Sequence, residues 1–433
     1  MRSLWENTSE RIYFDKLNGN ISADVLIIGG GMAGILCAYM LKSAGVDCML
    51  IESGRILEGV SADTTAKITL QHGFLYDKII KRYSREKAQL YFDSQRKALR
   101  EYERLCSIYP CDYENKDSYV YSLDDREKAE DEATALLSLG ADAAFCENTE
   151  LPFTVAGAVR VHSQAQFHPL KFGFAVAKSL PVYENTKAVE VSKEKVRTGN
   201  GEIRYKKLII ATHFPILNKH GGYFIKMYQH RSYVTALQGA EPVNAMYVDE
   251  ADKGMSFRSF KNMLLIGGGD HRTGKKGGNW KELEEFRQTH YPSSEVVFRW
   301  AAQDCMTLDG IPYIGRYSKN TPDVFVATGF NKWGISSSMT AAMILKELVC
   351  GRESEYASLY SPMRSIWHPK LFVNAFETLT GLLTPFSPRC PHLGCALKYN
   401  PYEHSWDCPC HGSRFSESGE LLDGPATDGK RIR

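Results

Sequence analysis

A strand, a glycine-rich turn and a helix follow one another near the start of the chain, and this order constrains the fold more than any other feature. The stretch ADVLIIGGGMAGILCAYMLKSAGVDCMLIES (23–53) opens with a Val- and Ile-rich run typical of a buried parallel strand. Gly29, Gly31 and Gly34 follow with G-x-G-x-x-G spacing, then a helical pattern and a second apolar run that ends at Glu52. The segment predicts an α/β domain that binds a dinucleotide.

Each of these residues has a separate physical role in such a site. Gly29 permits the tight turn, Gly31 lets the backbone approach a pyrophosphate, and Gly34 lets the helix pack on the strand. The helix N-terminus offers free N–H groups to the anion, and Glu52 can accept hydrogen bonds from ribose hydroxyls. A fortuitous glycine-rich turn is the alternative, but it does not account for strand, helix, second strand and acid in this order.

Later segments resemble the D-amino-acid oxidase/glycine oxidase superfamily of flavoproteins. The segments are YKKLIIATHFPI (205–216), MTLDGIPYIG (306–315) and DVFVATGFNKWGISSSMTAAMILKELVCG (323–351). The resemblance implies FAD as cofactor and an α/β fold, in which a Rossmann-like FAD domain of the glutathione-reductase type is interleaved with an α+β substrate domain. Within residues 1–360, the FAD-binding segments are expected at about 20–75, 180–235 and 305–355, and the substrate domain at about 76–179 and 236–304.

The same resemblance assigns residues around the flavin. Val189 matches the position whose backbone contacts the adenine in many relatives. The final glycine-rich turn lies against the flavin in this family, which implies that Gly329, Phe330, Trp333 and Gly334 lie near the isoalloxazine.

The sequence departs from the amino-acid oxidases at Asp304. Many of them carry an Arg at this position, five residues before the Asp of a TPDG motif, and it clamps the substrate carboxylate. Here the stretch is RWAAQDCMTLDG. Asp304 could attract a cationic amine, or it could cap a turn or pair with Arg299. Arg231, Arg258 and Arg272 remain as possible anion clamps, and the candidate catalytic residues are Tyr228, His230, His271, Asp304 and Trp333.

Four of the eleven cysteines are crowded into CPHLGCALKYNPYEHSWDCPCHGSRF (390–415). Cys390-x-His392 and Cys408-x-x-His411 supply two Cys and two His, a set that fits tetrahedral zinc and also a Rieske 2Fe–2S centre. In a reducing compartment such a cluster favours metal over a disulfide framework.

The surroundings of these ligands resemble the two cluster-binding loops of Rieske proteins, and GELLDGPA matches their third turn. The resemblance implies a disulfide between Cys395 and Cys410 and a hydrogen bond from the Ser413 hydroxyl to a cluster sulfur. High-potential relatives carry Tyr where this chain has Phe415, so we expect a lower potential, within a window of about −150 to +300 mV.

The Rieske part is short. Residues 361–388 are predicted to form a linker and an amphipathic helix, and residues 389–433 a small all-β Rieske domain that lacks most of the strands usually placed before the first ligand. Either the flavin domain supplies the missing support, or the cluster is unstable, or the chain carries a deletion.

Together these features predict a C–N dehydrogenase that acts on a small amine or amino-acid-like substrate and passes electrons through the cluster to a protein or quinone acceptor. An electron-transfer or redox-sensing module without turnover, and a flavoenzyme with a structural zinc tail, are the alternatives. The net charge of +2 does not favour nucleic acid. No apolar run reaches spanning length and the N-terminus is polar, so no membrane span and a cytoplasmic location are expected.

Overall fold

The computed structural model describes residues 2–217, 220–385 and 387–429, which form three β-sheets with helices packed around them. The strands in chain order are β1 (Ile21–Ile28), β2 (Cys48–Ile51), β3 (Lys67–Ile68), β4 (Glu114–Ser122), β5 (Ala143–Cys146), β6 (Gly157–Gln166), β7 (Val182–Tyr183), β8 (Ala188–Val191), β9 (Lys195–Thr198), β10 (Gly201–Ile210), β11 (Met227–Gln238), β12 (Met246–Asp249), β13 (Ser256–Phe260), β14 (Met263–Arg272), β15 (Glu295–Thr307), β16 (Tyr313–Ser318), β17 (Thr321–Thr328), β18 (Lys398–Asn400), β19 (Ser405–Asp407), β20 (Arg414–Ser416) and β21 (Leu421–Asp423).

The helices in chain order are α1 (Leu4–Asn7), α2 (Met32–Ser43), α3 (Val60–Asp63), α4 (Tyr76–Arg82), α5 (Arg85–Ile108), α6 (Arg126–Ser138), α7 (Pro169–Ala177), α8 (Tyr223–Lys226), α9 (Asn279–His290), α10 (Gly334–Val349), α11 (Ala357–Tyr360) and α12 (Pro369–Leu383), with a short 3₁₀ turn at His220–Gly222. Within the described residues no helix has both the length and the apolar character needed to cross a bilayer.

The first sheet has the strand order β16-β17-β10-β1-β2-β7, with β8 and β9 attached beside β10. Strands β17, β10, β1, β2 and β7 run parallel, and their central residues are buried on both faces, as in a sheet covered by helices on both sides. The long helices α2 and α10 pack against each other next to this sheet. The α/β domain predicted from the glycine motif is confirmed.

The second sheet is larger, with the order β15-β11-β14-β13-β12-β4-β6-β3 and β5 attached to β6. Its longest pairing joins β11 to β15 in antiparallel register from Met227↔Thr307 to Gln238↔Glu295. Strand β3 and residues 227–235 of β11 belong to this sheet and lie inside the segments 20–75 and 180–235 expected for the FAD domain, whose bounds stay a prediction. The reason for the place of β11 is its continuous long-range pairing, which the sequence of β11 alone does not specify.

The third sheet is small, and each of its strands β18 to β21 has three residues. Helix α12 lies against it: the backbone N–H of Ala396 donates to the Gly381 carbonyl at 2.9 Å. The Arg389 guanidinium donates to the carbonyls of Gly381, Leu382 and Thr384, which satisfies the last turn of the helix. Helix α12 is therefore hydrogen-bonded to residues on both sides of the first cysteine loop, Arg389 and Ala396.

Candidate active site and metal centre

A cleft of about 2030 Å³ lies between the first and second sheets, larger than the roughly 300–1,000 Å³ of an ordinary small-molecule pocket. Seven of the eight residues predicted to bind the cofactor line it: Gly29, Gly31, Glu52, Val189, Gly329, Phe330 and Gly334. Residues 421–429, which comprise β21 of the third sheet and the segment after it, line the cleft as well, and Lys187 donates to the Thr427 carbonyl at 2.7 Å. The cleft is therefore closed partly by the C-terminal domain.

The glycines of the first turn have the contacts that the motif predicts. Gly29 has φ +114°, and a Cβ there would lie 2.5 Å from the Ala211 carbonyl oxygen. A Cβ on Gly34 would lie 1.9 Å from the carbonyl oxygen of Gly29, so only glycine lets α2 pack this closely. Gly31 is the N-cap of α2 and has no side-chain cap, so its backbone faces the cleft. This arrangement fits a bound pyrophosphate.

The Glu52 carboxylate stands at the end of β2 and is held by backbone groups. Its Oε2 accepts from the Gly30 N–H at 2.7 Å, and its Oε1 accepts from the Gly54 N–H at 2.9 Å. The side chain also lines the cleft, and its contact with the ribose of the dinucleotide stays a prediction.

The turn before α10 is supported by a residue that sequence reasoning did not single out. The Trp333 ring stacks on the His72 imidazole, with 4.9 Å between centroids and 18° between planes. His72 contacts the Tyr91 hydroxyl at 2.6 Å and the Ser336 hydroxyl at 2.8 Å. Burial lowers the pKa of His72 to about 3, so it is neutral and acts by positioning Trp333. A lone histidine in the sequence gave no signal of this contact.

Strands β11 and β15 form the wall of the cleft that the second sheet contributes. Tyr228, His230 and Ser232 alternate along β11 and line the cleft, as side chains two apart on a strand do. Asp304 on β15 pairs directly opposite His230 and also lines the cleft. The alternative pairing of Asp304 with Arg299 is not found, because Arg299 binds Glu284 at 2.8 Å.

The charged groups around Asp304 make this wall electrostatically distinctive. Burial raises the pKa of Asp304 to about 6, although the nearby Lys332 ammonium opposes the rise. Lys332 forms an ion pair with Asp270, and both residues line the cleft. Burial, and then the charge of Lys332, lowers the pKa of His230 to about 2. Asp270 and Lys332 were not predicted, and no local motif marks them.

Other predicted residues lie away from the cleft. The His271 ring stacks against Tyr233 and its Nε2 lies 3.0 Å from the Tyr233 hydroxyl, on the side of the C-terminal domain. Arg231 binds Glu403, and Arg272 donates to the Cys410 carbonyl at 3.0 Å. The remaining arginine, Arg258, is fully buried and donates to the carbonyls of Thr65 and Ala66. All three arginines thus have structural partners instead of a place in the cleft.

The two predicted cluster loops share one backbone design. In each loop the first cysteine, Cys390 or Cys408, donates its N–H to the carbonyl five residues later at 2.8 Å. Its carbonyl accepts from the glycine four residues later, Gly394 or Gly412, at 2.9 Å, and both glycines have a positive φ. The loops differ in the places of the histidine and of the second cysteine, and together they bring four cysteines and two histidines to one region.

The donor atoms fit a cluster held by sulfur and imidazole. The His392 and His411 rings lie 5.1 Å apart at 90°. The Nδ1 of His411 is buried without a hydrogen-bond partner, and burial lowers the pKa of this imidazole to about 4, so a neutral ligand nitrogen is available. Among the described residues, the sulfurs of Cys395, Cys408 and Cys410 lie within 4.8 Å of one another. Of these three, Cys408 is a predicted ligand, and Cys395 and Cys410 are the predicted disulfide pair. Two Cys and two His are the ligand set of a Rieske cluster.

The supporting residues of the cluster loops are also in place. Cys395 and Cys410 are free thiols in this structure, so their disulfide stays a prediction. The Ser413 Oγ accepts from the Ala426 N–H at 3.0 Å, which leaves its hydroxyl hydrogen to donate elsewhere. Phe415 is fully buried beside the cysteines.

The second face of β11 and β15 contacts these loops. A Cβ on Gly412 would lie 2.2 Å from Cβ of Gln229, and Gln303 Nε2 donates to the Gly412 carbonyl at 2.9 Å. The Arg231 guanidinium donates to both carboxylate oxygens of Glu403. The same two strands therefore present one face to the cleft and the other to the cysteine loops.

Comparison with known proteins agrees with this architecture. The model of a family described as "FAD dependent oxidoreductase" matches residues 24–348. The chain belongs to this family of FAD-dependent oxidoreductases. A second model, the Rieske [2Fe-2S] domain, matches residues 365–432. The flavoenzyme therefore carries two redox cofactors, FAD in the first domain and a 2Fe–2S cluster in the second.

Relatives share either the whole organisation or the flavin domain. A protein of Bacillus subtilis named as a Rieske 2Fe-2S iron-sulfur protein, YhfW, is 31% identical over 98% of this chain and 96% of its own length. The gamma-glutamylputrescine oxidoreductase of Escherichia coli is 24% identical over 78% of this flavoenzyme and 86% of its own length. The crystal structure of glycine oxidase from Geobacillus kaustophilus superposes with a TM-score of 0.68 at 19% identity, over 79% of this chain and 99% of that one.

Proposed function

We propose that this flavoenzyme is a dehydrogenase that oxidises a C–N bond of an amine or amino-acid-like substrate and passes the electrons through its Rieske cluster to an external acceptor. One observation carries the proposal: β11 and β15 line the cleft with one face and contact the cluster loops with the other. The two redox regions are thus separated by a single sheet layer and not by a mobile linker.

The wall of the cleft supports an amine as the substrate. Asp304 stands where many amino-acid oxidases carry an Arg, and the three arginines once considered as anion clamps have other partners. Asp270 pairs with Lys332 on this wall, so Asp304 is the carboxylate there that can attract a cationic amine. The Lys370 ammonium reaches the same wall at the Tyr228 hydroxyl, 3.4 Å away. The name of the Escherichia coli relative, gamma-glutamylputrescine oxidoreductase, also gives an amine.

Asp304 is suited to hold and move a proton. An amine must be neutral when its C–H bond is oxidised, and a carboxylate with a pKa near 6 is a better base at neutral pH than an ordinary Asp. His230, with its pKa near 2, stays neutral and can donate or accept one hydrogen bond without charge. FAD, when bound, takes two electrons from the substrate, and the cluster carries electrons singly to the acceptor.

The proposal is tested by anaerobic rapid mixing of the holoenzyme with a panel of amines: gamma-glutamylputrescine, putrescine, glycine and sarcosine. We expect at least one amine to bleach the flavin absorbance, followed by the appearance of the reduced-cluster signal in electron paramagnetic resonance. A redox-sensing module without turnover predicts bleaching by none of them, and a zinc tail predicts flavin bleaching with no cluster signal and no iron.

Two variants separate the steps. Asp304→Asn should slow bleaching by about 10²–10⁴-fold while both cofactors stay bound. Cys408→Ser should leave bleaching intact but stop reduction of an added one-electron acceptor, because the cluster is lost. Equal acceptor reduction by Cys408→Ser and the parent enzyme would show that electrons leave by another route.

A further inference from the structure

Helix α12 has its apolar side directed outward. The exposed side chains recur at helical spacing along one side of the helix: Phe372, Val373, Phe376, Leu379, Leu382 and Leu383. Phe372 is 66% exposed and Leu383 is 72% exposed. Trp367, just before the helix, is 74% exposed and extends the same surface. A contiguous apolar patch of this kind marks a contact surface and is uncommon on a protein that meets only water.

The inward side of the helix is polar, which reverses the usual pattern of a surface helix. Asn374 is buried and donates to the carbonyl of Ile225 at 3.1 Å, while its Oδ1 accepts from Arg272. The Thr378 hydroxyl lies 3.4 Å from Nε2 of His411. Hydrogen bonds thus hold the inner side of the helix to the protein, and the outer, apolar side is free to contact another apolar surface.

The charged residues near the helix indicate what kind of surface its apolar side contacts. The segment 361–389 carries three basic residues, Arg364, Lys370 and Arg389, and one acidic residue, Glu377. Lys275 forms an ion pair with Glu377 at 2.6 Å, and Arg364 is paired with Asp309 at 2.8 Å. Lys370 and Arg389 therefore carry the remaining positive charge of the segment. The excess of positive charge beside an apolar helix face is the composition of helices that bind anionic lipid surfaces.

We propose that the apolar face of α12, with Trp367, binds the surface of a phospholipid bilayer that contains anionic headgroups. Leu, Phe and Val side chains would enter the boundary between headgroups and acyl chains, and a tryptophan at this depth is typical of membrane interfaces. A protein partner fits less well, because interfaces between proteins usually combine apolar contact with hydrogen bonds, and the six exposed side chains offer none.

The position of the cluster loops gives this surface a role, and this step rests on the proposed function. His411 contacts the inner side of α12, and Gly381 of the same helix lies against the sulfur of Cys410. The cluster ligands are thus one helix diameter, about 10 Å, from the lipid. A quinone dissolved in the bilayer is then the acceptor class that the enzyme can reach without a carrier protein.

The binding step is tested on the holoenzyme without any substrate, so its result is independent of the proposed turnover. Flavin fluorescence would follow cosedimentation with vesicles of phosphatidylcholine and phosphatidylglycerol, and with vesicles of phosphatidylcholine alone. The double variant Phe376→Glu/Leu379→Glu should bind at least about tenfold more weakly, because two side chains lose the burial of apolar area. The control Ile108→Glu/Leu137→Glu changes two exposed apolar residues elsewhere, 53% and 54% exposed, and should bind like the parent.

Three outcomes would overturn the proposal. The parent enzyme could stay in the supernatant with the anionic vesicles, the α12 variant could bind as tightly as the parent, or the control variant could lose binding to the same extent. Size-exclusion chromatography of the parent and the α12 variant tests the alternative that a second copy of the chain contacts this face. A parent dimer that becomes monomeric in the variant, with no vesicle binding, would assign this face to a second copy of the chain.

Discussion

Gln303 donates from its Nε2 to the carbonyl oxygen of Gly412 at 2.9 Å, and its Oε1 accepts from the Thr273 hydroxyl at 2.9 Å. Gln303 follows Ala302 and precedes Asp304, both of which line the cleft. Gly412 directly follows the cluster ligand candidate His411. One buried amide therefore joins the wall of the flavin cleft to a loop of the Rieske domain.

Replacing Gln303 with Leu should weaken the contact between the two domains. The change leaves the Gly412 carbonyl and the Thr273 hydroxyl without their buried partner, which costs about 1–3 kcal/mol. We expect the variant to lose its cluster absorbance at a lower denaturant concentration than the parent enzyme does. Its flavin absorbance should disappear only at a higher denaturant concentration than its cluster absorbance. Gln288→Leu, on an exposed position of α9, is the control and should not change either transition. Parallel loss of both cofactors in Gln303→Leu would argue against this contact as the weak point.

Asp304 should give the enzyme a pH-dependent rate. Because burial raises its pKa to about 6, the carboxylate form grows as pH rises through 6, and the rate of flavin reduction by an amine should rise with it. Asp304→Asn should lower this rate by about 10²–10⁴-fold and remove the acidic limb of the profile. Glu355→Gln, an exposed acid paired with Lys97, is the matched control. A limb at pH 6 that survives in Asp304→Asn would assign it to another group.

The same pKa predicts the effect of this substitution on stability. The pKa of Asp304 in the folded protein, about 6, lies above its unfolded value of about 4. Between pH 4 and 6 the folded protein therefore holds a proton on Asp304 that the unfolded chain releases. The contribution of Asp304 to the free energy of unfolding falls as pH rises through this range. Above pH 6 the parent has a buried carboxylate that Asp304→Asn lacks. The variant should therefore unfold at a higher temperature than the parent at pH 7.5 and at the same temperature near pH 4.

The sequence specified those parts of the molecule that depend on residues close together in the chain. The turn at Gly29, Gly31 and Gly34 needs only a strand and a helix on either side, and its geometry was predictable from spacing. The cysteine loops were recognisable for the same reason, since each contains its own ligands and its own glycine. The FAD fold and the Rieske domain are accordingly confirmed.

The composition of the cleft wall could not be predicted in the same way. Which side chains of β11 and β14 face the cleft depends on a register fixed by partner strands far away in sequence. His271 and Arg231 pair across β14 and β11 on the side of the Rieske domain. Asp270 and Lys332, which line the cleft, are 62 residues apart and share no motif. The register of β14 sets the place of Asp270, and the turn before α10 sets that of Lys332, so no local pattern brings them together.

The ion pair between Arg231 and Glu403 should anchor the Rieske domain in a pH-dependent way. Both side chains are 8% exposed. Burial works to raise the pKa of Glu403, but the guanidinium groups of Arg231 and Arg414 outweigh it and lower this pKa to about 2. This stabilisation is complete above the unfolded pKa, near 4, and is lost as pH falls toward 2.

Substitution of Arg231 tests that anchor. Arg231→Met leaves Glu403 buried with one cation fewer, and the loss of one partner of a buried pair costs about 3–5 kcal/mol. Denaturant unfolding of Arg231→Met, Glu403→Gln and the double variant would give the coupling energy of the pair. The double variant should be less destabilised than the sum of the two single changes, and strict additivity would contradict the direct contact.

Phe415 should set the potential of the cluster. It is fully buried beside Cys390 and Cys408 and has no group to donate to their sulfurs. Phe415→Tyr adds one hydroxyl that can donate to a ligand sulfur. If this hydrogen bond stabilises the reduced cluster by about 1–2 kcal/mol more than the oxidised one, the reduction potential rises by roughly 40–90 mV. Redox titration followed by electron paramagnetic resonance measures this shift. Phe415→Leu, which adds no donor, should keep the parent potential, and an equal rise in both variants would point to altered packing.

Gly381 determines whether α12 can lie on the cluster loops at all. A Cβ at this position would lie 2.4 Å from the sulfur of Cys410 and 3.4 Å from Cβ of Cys395, so Gly381→Ala must move the helix or the loop. Overpacking of this kind costs about 1–3 kcal/mol, and here the strain falls on the loop that bears His411. We expect iron and acid-labile sulfide per chain to fall while bound FAD is unchanged. Gly199→Ala, where a Cβ meets nothing within 4 Å, is the matched control and should keep full occupancy of both cofactors. A full complement of iron in Gly381→Ala would mean that the loops hold the cluster without the helix, and the short Rieske sheet would then be sufficient support by itself.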